Sequence, residues 1–208
     1  MGTMVWTKDP VTIVRDFETR NGQTWLSPLS MWAVWAVESL HYLDDLDASQ
    51  ADYPNAVGAH HADIVDIAHV RWAAGTAITA LDLCAAALGR MYCGWSKKHE
   101  PDLRYFDLQA RAKDAATLRR ALPPPMSLWV DRVLADGRYK MIQDARNRFT
   151  HAFMNRSLIR GDEGGHRSRT QFRDGQSNTS WGSRDIVVAA KECASDHVDR
   201  FLREVDAI

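Results

Sequence analysis

A stretch of small residues near the middle of the chain constrains the fold most. Residues 73–89 read AAGTAITALDLCAAALG, larger apolar residues recur through them at helical spacing, and Gly94 follows as a stop signal. This pattern predicts one long helix from about Ala62 to Tyr92. Because small side chains let a neighbouring helix approach closely, we expect this helix to lie at the centre of a helical bundle.

Proline, glycine and capping residues divide the rest of the chain into further helices. Ser27-Pro28 has the form of an N-cap followed by proline at the first helical position, and Pro123 to Pro125 mark the end of another helical segment. The further predicted helices run from Ser27 to about Leu46, Asp107 to Ala121, Ser127 to Leu134, Arg138 to Phe153 and Ser183 to Val205. The predicted fold is therefore all-α, a bundle of about five to seven helices in a single domain over residues 1–208.

Residues 155–183 differ from the rest in being rich in glycine and arginine. Within them the sequence HRSRTQFR, residues 166–173, alternates between two sets of side chains, which is the period of a β-strand. We therefore expect a short β-hairpin or an irregular insertion here, immediately before the C-terminal helix.

Charge is unevenly distributed, although the net charge is only −1. Residues 38–69 hold seven acidic residues and no lysine or arginine, whereas residues 146–173 hold seven arginines against Asp162 and Glu163. The arginine-rich segment is suited to a polyanion such as a nucleic acid. It is equally suited to pairing with the acidic segment of its own chain, and the sequence leaves both interpretations open.

Cysteine count and hydropathy favour a soluble cytoplasmic protein. Cys84, Cys93 and Cys193 are an odd number without a CxxC spacing, which is typical of reduced thiols in the cytosol. The longest apolar run, Met31 to Val37, is far shorter than a membrane span, and Lys8 and Asp9 precede any apolar run, unlike a secretory signal. We expect no contact with a membrane. Three tryptophans on apolar stripes are predicted to be core residues: Trp32, Trp35 and Trp72.

The segment DARNRFTHAF, residues 144–153, contains the most suggestive polar pattern. Arg146, Asn147 and His151 form R-N-x-x-x-H, and Asn147 and His151 are neighbours on one helix face because they are four residues apart. His151 falls in the last turns of the predicted helix, where the helix dipole favours the imidazolium form. Arg146 lies about 140° around the axis from His151, so both reach one substrate if two copies of the helix face each other or if the helix end distorts.

This pattern resembles the defining motif of the HEPN superfamily, in which four to six residues separate an Arg from a His and the first of them is polar. Arg146, Asn147 and His151 fit the motif position by position, and a long small-residue helix before it and a closing C-terminal helix after it resemble the family's helical order. Outside the motif the resemblance is architectural, over about residues 28–205. The glycine- and arginine-rich insertion has no counterpart that we assign in the family.

The resemblance implies a homodimeric, metal-independent endoribonuclease of a bacterial toxin–antitoxin or other defence system, with an antitoxin protein as a possible partner. His151 would then be the acid and base, Arg146 would stabilise the transition state and Asn147 would orient the histidine or a phosphate oxygen. No metal or other cofactor is implied. Further arginines are weaker candidates for holding the RNA backbone: Arg148, Arg156, Arg160, Arg167, Arg169 and Arg173.

Other interpretations of the same chain remain open. Some members of the superfamily are catalytically silent and act as dimerisation or nucleotide-binding modules. Arg146 could instead pair with Asp144 or with the acidic segment, while His151 caps its helix. A third possibility is a metal-binding bundle, since Glu38 and His41 have the E-x-x-H spacing of di-iron proteins. Asp66 and His69 repeat that spacing with a shorter carboxylate.

Overall fold

The architecture is described from a computed structural model. Its backbone is described at residues 12–13, 16, 19–20, 27–52, 59–94, 102–109, 112–150, 156–159, 169–173 and 180–207. Side chains are described at 12–13, 16, 19–20, 36–49, 68–94, 102–109, 114–147 and 181–207. Within these ranges the chain is predominantly helical, so the prediction of an all-α bundle is confirmed.

Six long α-helices and one short 3-10 helix account for most of the described residues. The α-helices are α1 (Ser27–Asp52), α2 (Ala59–Tyr92), α3 (Ala112–Ala121), α4 (Pro124–Ala135), α5 (Gly137–Thr150) and α6 (Ser183–Ala207). The 3-10 helix spans Leu103–Phe106, between α2 and α3.

Several helix ends lie where the sequence signals place them. The long helix α2 ends at Tyr92, and Gly94 adopts a φ of 64°, the left-handed conformation that glycine enters without a steric cost. The last helix begins at Ser183, and the Asp185 carboxylate accepts a hydrogen bond of 3.1 Å from the backbone N–H of Gly182. This is half of a capping box, because a carboxylate at the third helical position reaches back to the N-cap.

Two predicted boundaries were wrong in the region around the prolines. The helix expected from Asp107 begins only at Ala112, and α4 begins at Pro124 rather than at Ser127. The 3-10 helix accounts for the first difference, because Asp82 of α2 accepts a 2.7 Å hydrogen bond from the backbone N–H of Leu103 and holds it there. The second follows from proline itself, which fits the first turn of a helix where its missing N–H is not needed.

The glycine- and arginine-rich segment contains a small antiparallel sheet. Its strands are β1 (Arg156–Ile159), β2 (Arg169–Arg173) and β3 (Ser180–Gly182), in the order β1-β2-β3. Arg156 pairs with Phe172 across the first ladder, and Phe172 pairs with Trp181 across the second. The expected hairpin before the C-terminal helix is therefore present, with a third short strand added to it.

The chain divides into two compact units. The first comprises residues 1–39, 79–135 and 194–208, and the second comprises residues 40–78 and 136–193. Helices α1, α2 and α6 contribute residues to both units. A single domain over residues 1–208 stays a prediction.

Trp129 lies at the centre of the first unit. Its side chain is almost fully buried, and the centroid of its indole ring lies 5.3 Å from that of the phenyl ring of Phe201. Its Nε1–H donates a hydrogen bond of 2.8 Å to the His197 carbonyl oxygen. This hydrogen bond satisfies the one polar group of a large apolar side chain, which is the condition for burying a tryptophan.

Arg119 ties together three segments of the first unit. Its guanidinium donates to the Phe106 carbonyl at 2.9 Å, to the Ser127 carbonyl at 3.1 Å and to the Asp131 carboxylate at 2.8 Å. The 3-10 helix, α3 and α4 are thereby held by one planar group whose donors form a fixed fork.

The second unit buries the small residues of α2 alongside larger aliphatic residues. Ala73, Ala74 and Ala77 have no exposed surface, and neither does Leu43 of α1. Residues 80–88 of α2 are buried in the first unit, apart from the partly buried Asp82. The prediction that this helix is central to the core is confirmed.

Trp72 corrects the sequence prediction of a core residue, because 57% of it is exposed. Its side chain is in contact with solvent, whereas that of the next residue, Ala73, is buried. Trp32 and Trp35 lie outside the residues whose side chains are described. Trp72 therefore lies at the exposed edge of the apolar stripe of α2.

One helical segment, Ala68–Tyr92, is long and apolar enough to cross a membrane by length and composition. Most of it is buried inside the protein, as in the core helix of a soluble protein.

Candidate functional site

Helix α5, which carries Arg146 and Asn147, is fixed at its start by a strong N-cap. The Asp136 carboxylate accepts the backbone N–H of Arg138 at 2.8 Å and also binds the guanidinium of Arg138 at 2.8 Å. The same guanidinium lies 3.8 Å from the Glu192 carboxylate of α6. Because both oxygens of Asp136 are occupied in this way, the helix begins at a defined residue and in a defined direction.

The buried side of α5 sets the positions of the motif residues. Tyr139, Ile142 and Ala145 are buried and recur at three-residue spacing, so this stripe faces the interior of the second unit. Arg146 follows Ile142 by four residues and lies beside the buried stripe, whereas Asn147 lies farther round toward solvent. Both side chains are half-buried.

The Arg146 and Asn147 side chains lie against each other. Nη1 of Arg146 donates to Oδ1 of Asn147 at 3.4 Å, a long hydrogen bond. Arg146 also takes part in a further interaction. This hydrogen bond uses the acceptor oxygen of Asn147 and not its N–H₂ group, which is a donor.

His151 lies outside the described residues, since α5 is described only as far as Thr150. The expected divergence of Arg146 and His151 on one helix therefore stays a prediction.

The solvent side of α5 carries a polar stripe that continues from Asn147. Lys140, Gln143 and Asn147 are spaced by three and four residues and so lie on one side of the helix. Lys140 is exposed, and its ammonium forms no ion pair with another described residue, although Asp144 lies one turn away. Sequence reasoning did not select Lys140, because a single lysine on a helix has no motif to mark it.

The weaker RNA-binding candidates lie outside the residues whose side chains are described. Arg156, Arg169 and Arg173 occupy strand positions of the small sheet, in β1 and β2. Arg148 is in the last turn of α5. Arg160 and Arg167 lie outside the described backbone as well.

The acidic segment does pair with basic residues of its own chain, but with residues of α6. Lys191 lies 2.8 Å from Asp44 and 3.0 Å from Asp47, and Arg184 forms an ion pair with Asp47. Both cations lie beyond the arginine-rich segment 146–173. Asp44 and Asp47 of α1 are therefore paired with cations of α6.

The contacts with Asp44 and Asp47 change the pKa of Lys191. The hydrogen bond that Lys191 donates to the Asp44 carboxylate raises the pKa of its ammonium, and Asp47 adds to the effect, while partial burial opposes it. Because its pKa is raised, the Lys191 ammonium stays charged at neutral pH and keeps its attraction to both carboxylates.

The metal ligands that the sequence suggested lie in dissimilar environments. Glu38 and His41 of α1 are both exposed, whereas His69 of α2 is buried and its Nε2 lies 3.2 Å from the Ser49 hydroxyl. The side chain of Asp66 lies outside the description. The sequence did not predict the contact between His69 and Ser49, since no sequence pattern links these two residues.

All three cysteines are free thiols, as predicted. Burial raises the pKa of the Cys93 thiol to about 11 and also raises that of Cys84, to which the nearby Asp82 carboxylate adds. Because the thiolate is the nucleophilic form, neither cysteine is suited to nucleophilic catalysis at neutral pH.

Comparisons with protein-family models, with curated proteins and with solved structures found no match to this chain.

Proposed function

We propose that the protein is a metal-independent endoribonuclease of the HEPN type, acting in a bacterial defence or toxin–antitoxin system. The observation that carries the proposal is the contact between Arg146 and Asn147 on a well-anchored helix of an all-α protein. Arginine and an amide side by side form a compact set of donors that suits a phosphate group. The R-N-x-x-x-H sequence then adds a histidine as the group that moves protons.

The proposed reaction is an internal transfer at one phosphodiester. The ribose 2′-oxygen bonds to the adjacent phosphorus as the bond from phosphorus to the 5′-oxygen breaks. His151 from one or both copies takes the proton of the 2′-hydroxyl and supplies one to the departing 5′-oxygen. The products are a 2′,3′-cyclic phosphate and a 5′-hydroxyl.

Arg146 and Asn147 have complementary roles in this scheme. The phosphorane-like transition state carries more negative charge on its non-bridging oxygens than the substrate does, and the guanidinium of Arg146 stabilises that charge. Asn147 holds the guanidinium through its Oδ1 and offers its own N–H₂ to a phosphate oxygen or to the histidine. We propose RNA as the partner, a homodimer as the active form and the cytoplasm as its location.

A direct test is incubation of the purified protein with total RNA in the presence of EDTA. We expect cleavage by the wild type, with 3′ ends that mass spectrometry identifies as 2′,3′-cyclic phosphates. His151→Ala should abolish cleavage, and His41→Ala, which removes an exposed histidine of α1, should leave it unchanged.

Two results would reject the nuclease. One is no cleavage by the wild type, and the other is equal cleavage by wild type and His151→Ala. Inactive wild-type protein that still binds RNA or a nucleotide would favour the silent binding module. Stoichiometric metal in the purified protein, lost on His41→Ala or His69→Ala, would favour the metal-binding bundle.

A further inference from the structure

Two large aromatic side chains of the second unit are unusually exposed. Tyr42 of α1 is 44% exposed and Trp72 of α2 is 57% exposed. Tryptophan has the largest apolar surface of any side chain, and leaving it in water forgoes the free energy of burial that folds the rest of the unit. A tryptophan and a tyrosine on one protein surface are typical of the centre of a protein–protein interface.

Helical spacing from the contact between Ser49 and His69 places both rings beside the line where α1 meets α2. These two residues join α1 to α2 at 3.2 Å. Trp72 follows His69 by three residues, so it lies on the side of α2 that is next to α1. Tyr42 precedes Ser49 by seven residues and lies on the side of α1 that is next to α2. We call this surface the Tyr42–Trp72 face.

Opposite charges flank the aromatic centre of the face. Asp45 is exposed and precedes Ser49 by four residues, so it lies with Tyr42 on the α1 side. Arg71 is exposed and follows His69 by two residues, about 200° around the axis, on the side of α2 away from α1. Neither charge forms an ion pair with another described residue. Across the face the order is thus negative, aromatic, positive.

Gly75 provides room for a close approach beside Trp72. A Cβ atom added at Gly75 would meet nothing within 4 Å, so the space above this residue is open. Gly75 follows Trp72 by three residues and Arg71 by four, which places it between them on the face. A glycine there lets another backbone or a large side chain come close to α2.

We propose that the Tyr42–Trp72 face binds a second copy of this chain around a two-fold axis close to Trp72. A two-fold axis brings the same surface of both copies together with the two halves exchanged. Asp45 of one copy then meets Arg71 of the other, twice, while the aromatic rings cover each other at the centre. The order of charges fits this arrangement without any further residue, which singles out a second copy as the occupant.

This proposal does not depend on the nuclease activity. It assigns a surface to the homodimer proposed above as the active form. A dimer that does not cleave RNA would leave this surface standing, and a cleaving dimer that persists in the variants below would leave the nuclease standing without it.

Reciprocal charge exchange is the sharpest test. The molar mass from size-exclusion chromatography with light scattering should be that of a dimer for the wild type. Arg71→Glu and Asp45→Arg each place like charges opposite one another, so each should give a monomer. The double variant exchanges both signs and should be a dimer again. Arg132→Glu, which changes an exposed arginine of α4, should remain dimeric.

Gly75→Gln provides a second, independent arm. The added side chain enters open space in a single copy, and glutamine is a better helix former than glycine, so the variant should fold. It should nonetheless be monomeric because the side chain fills the space above α2. Circular dichroism and thermal unfolding of every variant distinguish loss of the dimer from loss of the fold.

Three outcomes would overturn the proposal. The first is a wild type that is monomeric at all concentrations, including one that instead binds lipid vesicles or a different protein through this face. The second is a dimer that persists in Arg71→Glu, Asp45→Arg and Gly75→Gln, which would place the contact on another surface. The third is a folded double variant that stays monomeric.

Discussion

The guanidinium of Arg146 donates a hydrogen bond of 3.4 Å to the side-chain oxygen of Asn147, the residue directly after it in the chain. Adjacent residues on a helix diverge by about 100°, so this contact requires the long arginine side chain to bend around the helix toward the amide. The two side chains are thus held side by side on the surface of the helix.

Replacing Asn147 by Ala should lower RNA cleavage about a hundredfold, the effect of removing one donor that acts in the transition state. The measurement is the single-turnover rate on a labelled RNA at saturating enzyme. Gln143→Ala is the matched control, because Gln143 is also a half-buried amide of α5 and instead donates to the Tyr139 hydroxyl at 3.3 Å. Equal rates for Asn147→Ala and Gln143→Ala would contradict a role for Asn147.

Lys140→Ala should weaken RNA binding and leave the rate at saturating RNA unchanged. Lys140 lies seven residues before Asn147 on the same side of α5, about 10 Å along the helix, where a neighbouring phosphate would pass. Removing one phosphate contact should lower the slope of log affinity against log salt by about 1. Fluorescence anisotropy with labelled single-stranded RNA at several salt concentrations measures this. A slope that changes equally in Arg132→Ala would mean that the effect is not specific to α5.

Trp129→Phe should lower the free energy of unfolding by about 2 kcal/mol. The change removes the hydrogen bond to the His197 carbonyl and leaves part of the buried volume empty. Urea unfolding followed by circular dichroism gives the difference. Leu128→Ala, one residue earlier and 47% exposed, should change the free energy by less than about 0.5 kcal/mol. A neutral Trp129→Phe would show that this packing does not stabilise the first unit.

The contribution of Lys191 to stability should disappear only in strong alkali. Its pKa is raised above the ordinary value of 10.5, chiefly by the hydrogen bond that it donates to Asp44, so its contribution is fully present below that value. It is lost as the pH rises through the higher pKa of the folded protein. Lys191→Met should therefore be less stable than wild type by on the order of 1 kcal/mol from pH 7 to about 10, with a smaller difference above pH 10.5.

Urea unfolding of both proteins between pH 7 and 11.5 tests this window. Lys140→Met is the matched control, since its exposed ammonium has no ion-pair partner among the described residues and its removal should cost little at any pH. A difference for Lys191→Met that already falls between pH 7 and 9 would contradict the assignment.

Local signals predicted the elements of this fold well because local chemistry decides them. Gly94 ends α2 since only glycine enters the left-handed region freely, and Ser183 begins α6. The strand period in residues 166–173 likewise marked the position of β2. In the candidate site, the sequence selected Arg146 and Asn147 but not their contact, since adjacent residues on a helix diverge by about 100°.

Such local signals did not predict which faces are exposed or which helices contact each other. Periodicity gives the apolar stripe of α2 but not its width, so Trp72 was assigned to the core although it lies on the outer edge. The sequence left open whether the acidic residues 38–69 pair within the chain, and only the contact of α6 with α1 shows that Asp44 and Asp47 bind Lys191 and Arg184.

The sequence by itself determined which segments are helices, where most of them end and which residues form the R-N-x-x-x-H motif, because these depend on neighbours within one or two turns. Tertiary structure alone decided that Asp44 and Asp47 bind Lys191, that His69 contacts Ser49 and that Trp72 faces solvent. Each of these joins or separates residues on different helices, and their free energy depends on which faces meet, which no single segment encodes.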